Sequence, residues 1–258
     1  MKRAIWKKES IFVKIVEVYK DFGIFNLITQ AIDFFWRKIL YLTYNLYYPI
    51  LKLQKQTFVY NNKILNYNFQ KYNLAWRNER KIEIPILIEE LRSHKNKKLL
   101  EVGNVFSHYF QSKKYKRIIV DKYERETGVI NIDVLDYYPK NKFDYIFSIS
   151  TIEHIGIQDE NDNDLASIKA LKHLHDYCLK NGGEIIITVP FGYNYKLDKY
   201  IKSKKNIFSR ELFFLREDSL NNWRQVSKKE ILGIKYGKPY PYANAIFVGI
   251  IKRRHHNS

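Results

Sequence analysis

The chain has 258 residues, 45% of them hydrophobic, and a single cysteine, Cys178. That length buries a full core as one large domain, or as one domain with an extension. One cysteine excludes internal disulfides and a cysteine-based zinc cluster, so a reducing, cytoplasmic setting is expected. The net charge of +18 raises nucleic acid as a partner, but the lysines are spread along the whole chain, as on a solvated surface. Such a charge favours anionic lipids or anionic sugar nucleotides by long-range attraction.

The opening MKRAIWKKESIFVKIVE is charged where the apolar core of a signal peptide belongs, so no signal peptide is expected. Residues 1–55 read as an amphipathic helical extension. Ile11, Ile15, Val18, Tyr19 and Phe22 fall at helical spacing, and Gly23 is placed to end that helix. A second helical stretch runs from about Asn26 to Tyr47 and carries Phe34, Phe35, Trp36, Tyr41 and Tyr44. Asp33, Arg37 and Lys38 interrupt it, so no uncharged run reaches the ~20 residues that span a bilayer. Two readings stand: residues 1–50 lie in a membrane interface at the inner face, or they cover the neighbouring domain or a second subunit of an oligomer.

Residues 56–96 read as a connector and a leading helix. TFVYNNKILNYNFQKYNLAWRNER has turn-forming asparagine pairs but no clear period, and Pro85 suits a first helical position ahead of ILIEELRSH. From residue 97 to 254 strands and helices alternate. KLLEVG is a strand, after which SHYF begins a helix; KRIIVDKYE, FDYIFSIS and GEIIITVP give three more strands. Between the last two, ASIKALKHLHDYCLK is apolar at helical spacing and closed by Asn181-Gly182-Gly183. RELFFLRED and NAIFVGIIKR add two strands with an irregular stretch between them. Continuous apolar strands separated by helices imply an α/β fold, a parallel sheet covered on both faces.

In such a sheet ligands lie outside the carboxyl ends of the strands. The first strand leads to Glu101, Gly103 and Asn104. The second ends at Asp121, twenty positions on (121 − 101 = 20), where a carboxylate accepts from a ribose diol; the alternative is an acid paired with Lys122. Asp133 follows, with Asp136 as its rival and Val134 beside it for an adenine. The strand FDYIF leads to Ser148, Ser150, Thr151, Glu153 and His154. A loop with one glycine does not cradle a diphosphate, which disfavours NAD, FAD and ATP. An adenosine cofactor without phosphate, S-adenosylmethionine, fits.

LLEVGN, IIVDKYE, INIDVLDY, FDYIFSISTIEHIG and NGGEIIITVPFGYN, in that order, resemble the class I methyltransferases that use S-adenosylmethionine. More narrowly, WRNER, LEVGN, DKYE, ISTIEH and TVPFGYN together resemble methyltransferase-like proteins of bacterial surface-polysaccharide gene clusters. The resemblance covers roughly Tyr67 to Lys252. It implies a Rossmann-like sheet of seven strands, the last antiparallel, and methyl transfer to an oxygen, less often a nitrogen, of a saccharide or sugar-nucleotide intermediate. It also implies that Glu101 sits beside the cofactor's methionine amine; from the residues alone, Glu101 equally caps the amides that follow it. The loop departs from the family pattern, with Asn104, Val105 and Phe106 in place of further glycines.

His154 has the chemistry of a base for an acceptor hydroxyl, with Glu153 as its rival; many methyl transfers need only alignment. Tyr193, Asn194 and Asp198 are placed at the pocket mouth, and Trp223 and Arg224 in the late insertion between the last two strands; aromatic platforms and amides suit a sugar ring and Arg224 a phosphate, and each equally serves as loop packing. Trp76, Arg77, Glu79 and Arg80 read as a substrate-side wall or an ion-paired connector. His108 reads as a surface or capping residue. His173 and His175, two apart, face different sides of a helix and do not suggest a metal site. The rival functions are a nucleic-acid methyltransferase, disfavoured by the absence of an Asn/Asp-Pro-Pro-aromatic motif, and a non-catalytic binding protein at a membrane.

Overall fold

The structure, a computed structural model, describes residues 32, 34–110, 115–157 and 165–254. Two compact units divide the chain, residues 1–55 and 56–258. In the first, residues 34–42 are helical. Past Thr43, helix α1 spans Tyr44–Leu51 and contains Pro49. The helix expected over Ile11 to Phe22 lies outside the described residues. No helix among the described residues is long and apolar enough to cross a membrane.

The second unit begins with a hairpin that periodicity did not reveal, because four-residue strands are too short to show a period. β1 (Thr57–Tyr60) pairs antiparallel with β2 (Lys63–Asn66). The turn residues Asn61 and Asn62 have φ of 47° and 64°, the left-handed pair whose twist matches a two-residue hairpin. Helix α2 spans Arg80–Leu91, so Pro85 sits inside it and not at its start. Asn78 Oδ1 accepts from the Arg80 amide at 3.0 Å and starts the helix early. Proline cannot donate to the carbonyl four residues back. That carbonyl, of Lys81, accepts from the Asn68 amide at 2.9 Å instead.

Eight strands form the main sheet in the order β5-β4-β3-β6-β7-β10-β8-β9. They are β3 (Leu99–Val102), β4 (Arg117–Val120), β5 (Val129–Ile130), β6 (Phe143–Ile149), β7 (Leu179–Pro190), β8 (Arg210–Arg216), β9 (Trp223–Val226) and β10 (Ala245–Lys252). β5, β4, β3, β6 and β7 are parallel neighbours. β10 enters antiparallel between β7 and β8. This is a Rossmann-like sheet with an antiparallel last strand. β9, antiparallel to β8, adds an eighth strand at the edge, drawn from the stretch that reads as irregular.

Side chains alternate between two cores. Ile146, Ile185, Ile187 and Phe247 pack with Ala170 and Leu171 of α3 (Ala166–His173) and with Leu197 and Ile201 of α4 (Tyr195–Lys202). Tyr145, Phe147, Ile186 and Val248 pack with Ile82, Ile86 and Leu87 of α2. Helices therefore cover both faces. Asn181-Gly182-Gly183 does not close the helix: α3 ends in a π turn over Leu174–Cys178, and the glycines lie within β7, where the register on β6 slips between Phe143 and Tyr145. The helix expected from SHYF is a single 3-10 turn, Phe106–His108. The amides of Asn104 ahead of it and of Phe106 at its start are held by the carboxylates of Asp121 and Glu101.

Candidate functional site

Strand order reverses between β3 and β6, the switch point at which open parallel sheets bind ligands. Gly103, just past β3, meets Thr151, just past β6. Gly103 has φ +85°, and a Cβ there would lie 2.2 Å from Thr151 Oγ1. Two independent constraints therefore demand glycine. The Gly103 amide donates to Val120 O at 2.9 Å, tying the ends of β3 and β4 together.

Around this turn the expected acids are engaged by the chain itself. Glu101 is buried; it accepts from the Phe106 amide at 2.7 Å and pairs with Arg117. Burial pushes its carboxyl above the usual range, and the Arg117 charge pulls it back. Glu101 is thus the cap of the following amides. Phe106 is buried against Phe110 and Phe147 on the α2 face. Asp121, half-buried at the end of β4, accepts from the amides of Tyr123 and Glu124 at 2.8 Å through Oδ1 and from that of Asn104 at 3.1 Å through Oδ2. A carboxylate has about four acceptor positions, so roughly one remains. Asn104 is buried, and its Oδ1 has no hydrogen-bond partner among the described residues. The remaining acceptor position of Asp121 is the part of this loop suited to a hydroxyl-bearing ligand.

Asp133 Oδ1 caps its own turn by accepting from the Leu135 amide at 3.0 Å, and Oδ2 pairs with Lys122 at 3.0 Å. Lys122 thus pairs with Asp133. Val134, expected beside an adenine, is buried in the core on the α3 face. Ser148 is also buried and donates to Val102 O at 2.8 Å, bracing β6 on β3.

Past β6 lies a buried polar cluster that sequence reading only brushed, through WRNER. Ser150, with φ +38°, donates to Glu83 Oε1 at 2.7 Å. Glu83 pairs with Arg80, three residues earlier on α2. Burial raises the Glu83 carboxyl, and the Arg80 charge opposes that. Glu153 is buried, and neither carboxyl oxygen has a hydrogen-bond partner among the described residues. Burial, with the charge of Glu83 adding to it, holds Glu153 well above the ordinary carboxylate range. His154 is part-exposed; its Nδ1 lies 3.1 Å from Tyr193 Oη and its Nε2 3.6 Å from Glu153 Oε1. Tyr193 packs edge-on against both His154 and Tyr236. A line of Tyr193, His154 and Glu153 thus leads from a half-buried hydroxyl to a buried acid.

Other residues expected on the substrate side are engaged by the chain itself. Trp223 is fully buried on β9; its Nε1 donates to Asn221 Oδ1 at 2.8 Å and its amide to Tyr67 Oη at 2.7 Å, so it offers no platform for a sugar. Asn194 is the buried cap of α4, accepting from the Leu197 amide at 3.0 Å while its Nδ2 donates to Glu153 O at 3.0 Å. Asp198 is buried and accepts from the Gly192 amide at 3.0 Å. Arg224 pairs with Glu230 at 2.8 Å. His108 stacks on Tyr72 at 4.8 Å between ring centroids, and His173 Nε2 lies 2.9 Å from Tyr137 O. Among the described residues no group of three or more His, Cys, Asp or Glu could hold a metal ion.

No family model matches the chain, and no curated protein matches it. Solved structures do resemble it. The N-methyltransferase NodS from Bradyrhizobium japonicum, in complex with S-adenosyl-L-homocysteine, has 10% identity and a TM-score of 0.45 over 73% of this chain and 94% of that one. A 1,6-didemethyltoxoflavin N1-methyltransferase from Burkholderia thailandensis has 11% identity and a TM-score of 0.38 over 78% of this chain and 100% of that one. A methyltransferase from Thermotoga maritima, a possible histamine N-methyltransferase, has 16% identity and a TM-score of 0.36 over 64% and 89%. Likenesses this distant do not assign an activity. The fold of this chain rests on its own strand order.

Proposed function

We propose that the chain is a methyltransferase that uses S-adenosylmethionine. The observation that carries this reading is the Gly103 turn at the switch point of the sheet, with roughly one acceptor position left on the Asp121 carboxylate beside it. Ribose hydroxyls donate to such acceptors, and a turn with one glycine suffices for a cofactor without phosphate. Bound there, S-adenosylmethionine supplies a methyl group from its sulfonium. The chain's own part is alignment, with the proton of the acceptor held at His154. Tyr193 orients that ring from one side and Glu153 from the other. Gly103, Asn104 and Asp121 form the cofactor side; Glu101, Lys122, Asp133 and Ser148 keep its loops in place, Ser150 orders the polar cluster, and Val134 packs beneath.

The finer reading is a saccharide or sugar-nucleotide acceptor methylated on oxygen during surface glycan assembly. It rests on the resemblance carried by WRNER, LEVGN, DKYE, ISTIEH and TVPFGYN. A second reading, a binding protein that has kept the fold, is favoured by one observation: Glu101 and most of Asp121 are occupied by loop amides.

Calorimetric titration of S-adenosylhomocysteine separates the two. Micromolar binding to the wild type and at least tenfold weaker binding to Asp121→Asn support the cofactor site, since the substitution keeps the shape while replacing an acceptor by a donor. No heat from protein shown to be folded by circular dichroism sinks the methyltransferase reading.

A further inference from the structure

The first unit presents an apolar face that the methyl-transfer reading leaves unused. Ile32, Phe35, Ile39, Leu42, Leu46, Ile50 and Leu53 follow one another at intervals of three or four residues, and each is at least half exposed. On an ideal helix of 3.6 residues per turn, those from Phe35 to Ile50 would fall within a stripe about 80° wide. Leu40, Tyr44, Tyr47 and Leu51, which share the same 3–4 spacing on a different face, are the less exposed residues.

Its flanks say what chemistry fits. Residues 34–55 contain Arg37, Lys38, Lys52 and Lys55 and no acid, with Asp33 just ahead of them. Trp36, exposed beside the stripe, has the amphipathic ring that settles at headgroup depth. A second copy of the segment would bring cations onto cations, without the opposite charges that pair helices in a coiled coil. A bilayer with anionic headgroups takes the apolar stripe and the cations together.

We propose that residues 32–55 dock this protein on an anionic membrane surface, lying in the interface without crossing it. This inference is independent of the methyl-transfer reading.

The test is flotation of the full chain with vesicles of phosphatidylcholine alone, or of phosphatidylcholine and phosphatidylglycerol at three to one. Binding to the anionic vesicles, weakened by salt, is expected. Lys38→Gln with Lys52→Gln should weaken it about 25-fold, at roughly fivefold per cation. Leu42→Glu with Leu46→Glu, both at exposed positions, should weaken it by at least about a hundredfold, with the thermal melt unchanged. Binding that survives the leucine pair would overturn the proposal, because the general basic surface would then account for it. So would a wild-type dimer in light scattering that floats with neither vesicle and is dissociated by the leucine pair; a second copy would then own the stripe.

Discussion

Replacing Gly103 by alanine tests the switch point directly. A side chain at φ +85° carries the left-handed penalty of about 1–2 kcal/mol. The new methyl would lie 2.2 Å from Thr151 Oγ1 and 2.8 Å from its Cβ, so Thr151 must move. Moving it breaks the Oγ1 bond to Ile149 O, which is 3.0 Å long, worth about 1 kcal/mol. Residual overpacking adds about 1 kcal/mol or more. The total is about 3–5 kcal/mol, a large share of the ~5–15 kcal/mol that holds a domain together. In a domain of ~200 residues this corresponds to a fall of roughly 10 °C in Tm. Urea unfolding of Gly103→Ala, Thr151→Gly and the double variant provides the measurement. The double variant should recover the steric part, leaving a coupling of more than about 1 kcal/mol, but not the backbone part. A loss below about 1 kcal/mol for Gly103→Ala, or no coupling to Thr151→Gly, would refute the close approach of β3 and β6 at this point.

Other expectations concern the buried acids. Burial raises the Asp198 pKa from 3.8 to about 6, so the folded state holds its proton longer than the unfolded one. Stability therefore falls as pH climbs through that window, and Asp198→Asn should be more stable than wild type by about 2–3 kcal/mol at pH 8 with no gain at pH 4; a gain of equal size at both would count against the cause given. Glu153, raised well above its ordinary range by burial, has the same sign. Glu153→Gln should raise Tm more at pH 8 than at pH 5, and a drop at pH 8 would mean that the carboxylate has a charged partner. Ser150→Ala removes the donor to Glu83 and should cost about 1.5–3 kcal/mol, as for a hydrogen bond to a charged group. A change under about 0.5 kcal/mol would show that the Arg80–Glu83 pair stands without it.

Local pattern carried much of this protein. LLEV, RIIV, FDYIFSI and AIFVGIIK are apolar runs with turn residues at their ends, and all are strands in the sheet. The positions of Gly103 after β3 and Asp121 after β4 followed from the same pattern. The hairpin over Thr57–Asn66 was marked by Asn61-Asn62, the residue type that tolerates positive φ, but its strands were too short for a period to show. Trp223 was misplaced because an aromatic between two glycine-free polar stretches looks the same in sequence whether it faces a ligand or Tyr67.

What the sequence determined by itself was the order of strands and helices and the row of residues at the strand ends, because both depend on hydrophobic spacing and backbone preferences within a few residues. Tertiary structure decided which of those residues remain open to a ligand. Ser150 finds Glu83 across 67 residues and the Trp223 amide finds Tyr67 across 156. Glu101 was claimed by Arg117 and a loop amide, while among the described residues Asn104 Oδ1 and the Glu153 carboxyl oxygens have no hydrogen-bond partner. Hydrogen-bond satisfaction is a property of what packs nearby, and distance along the chain does not encode it.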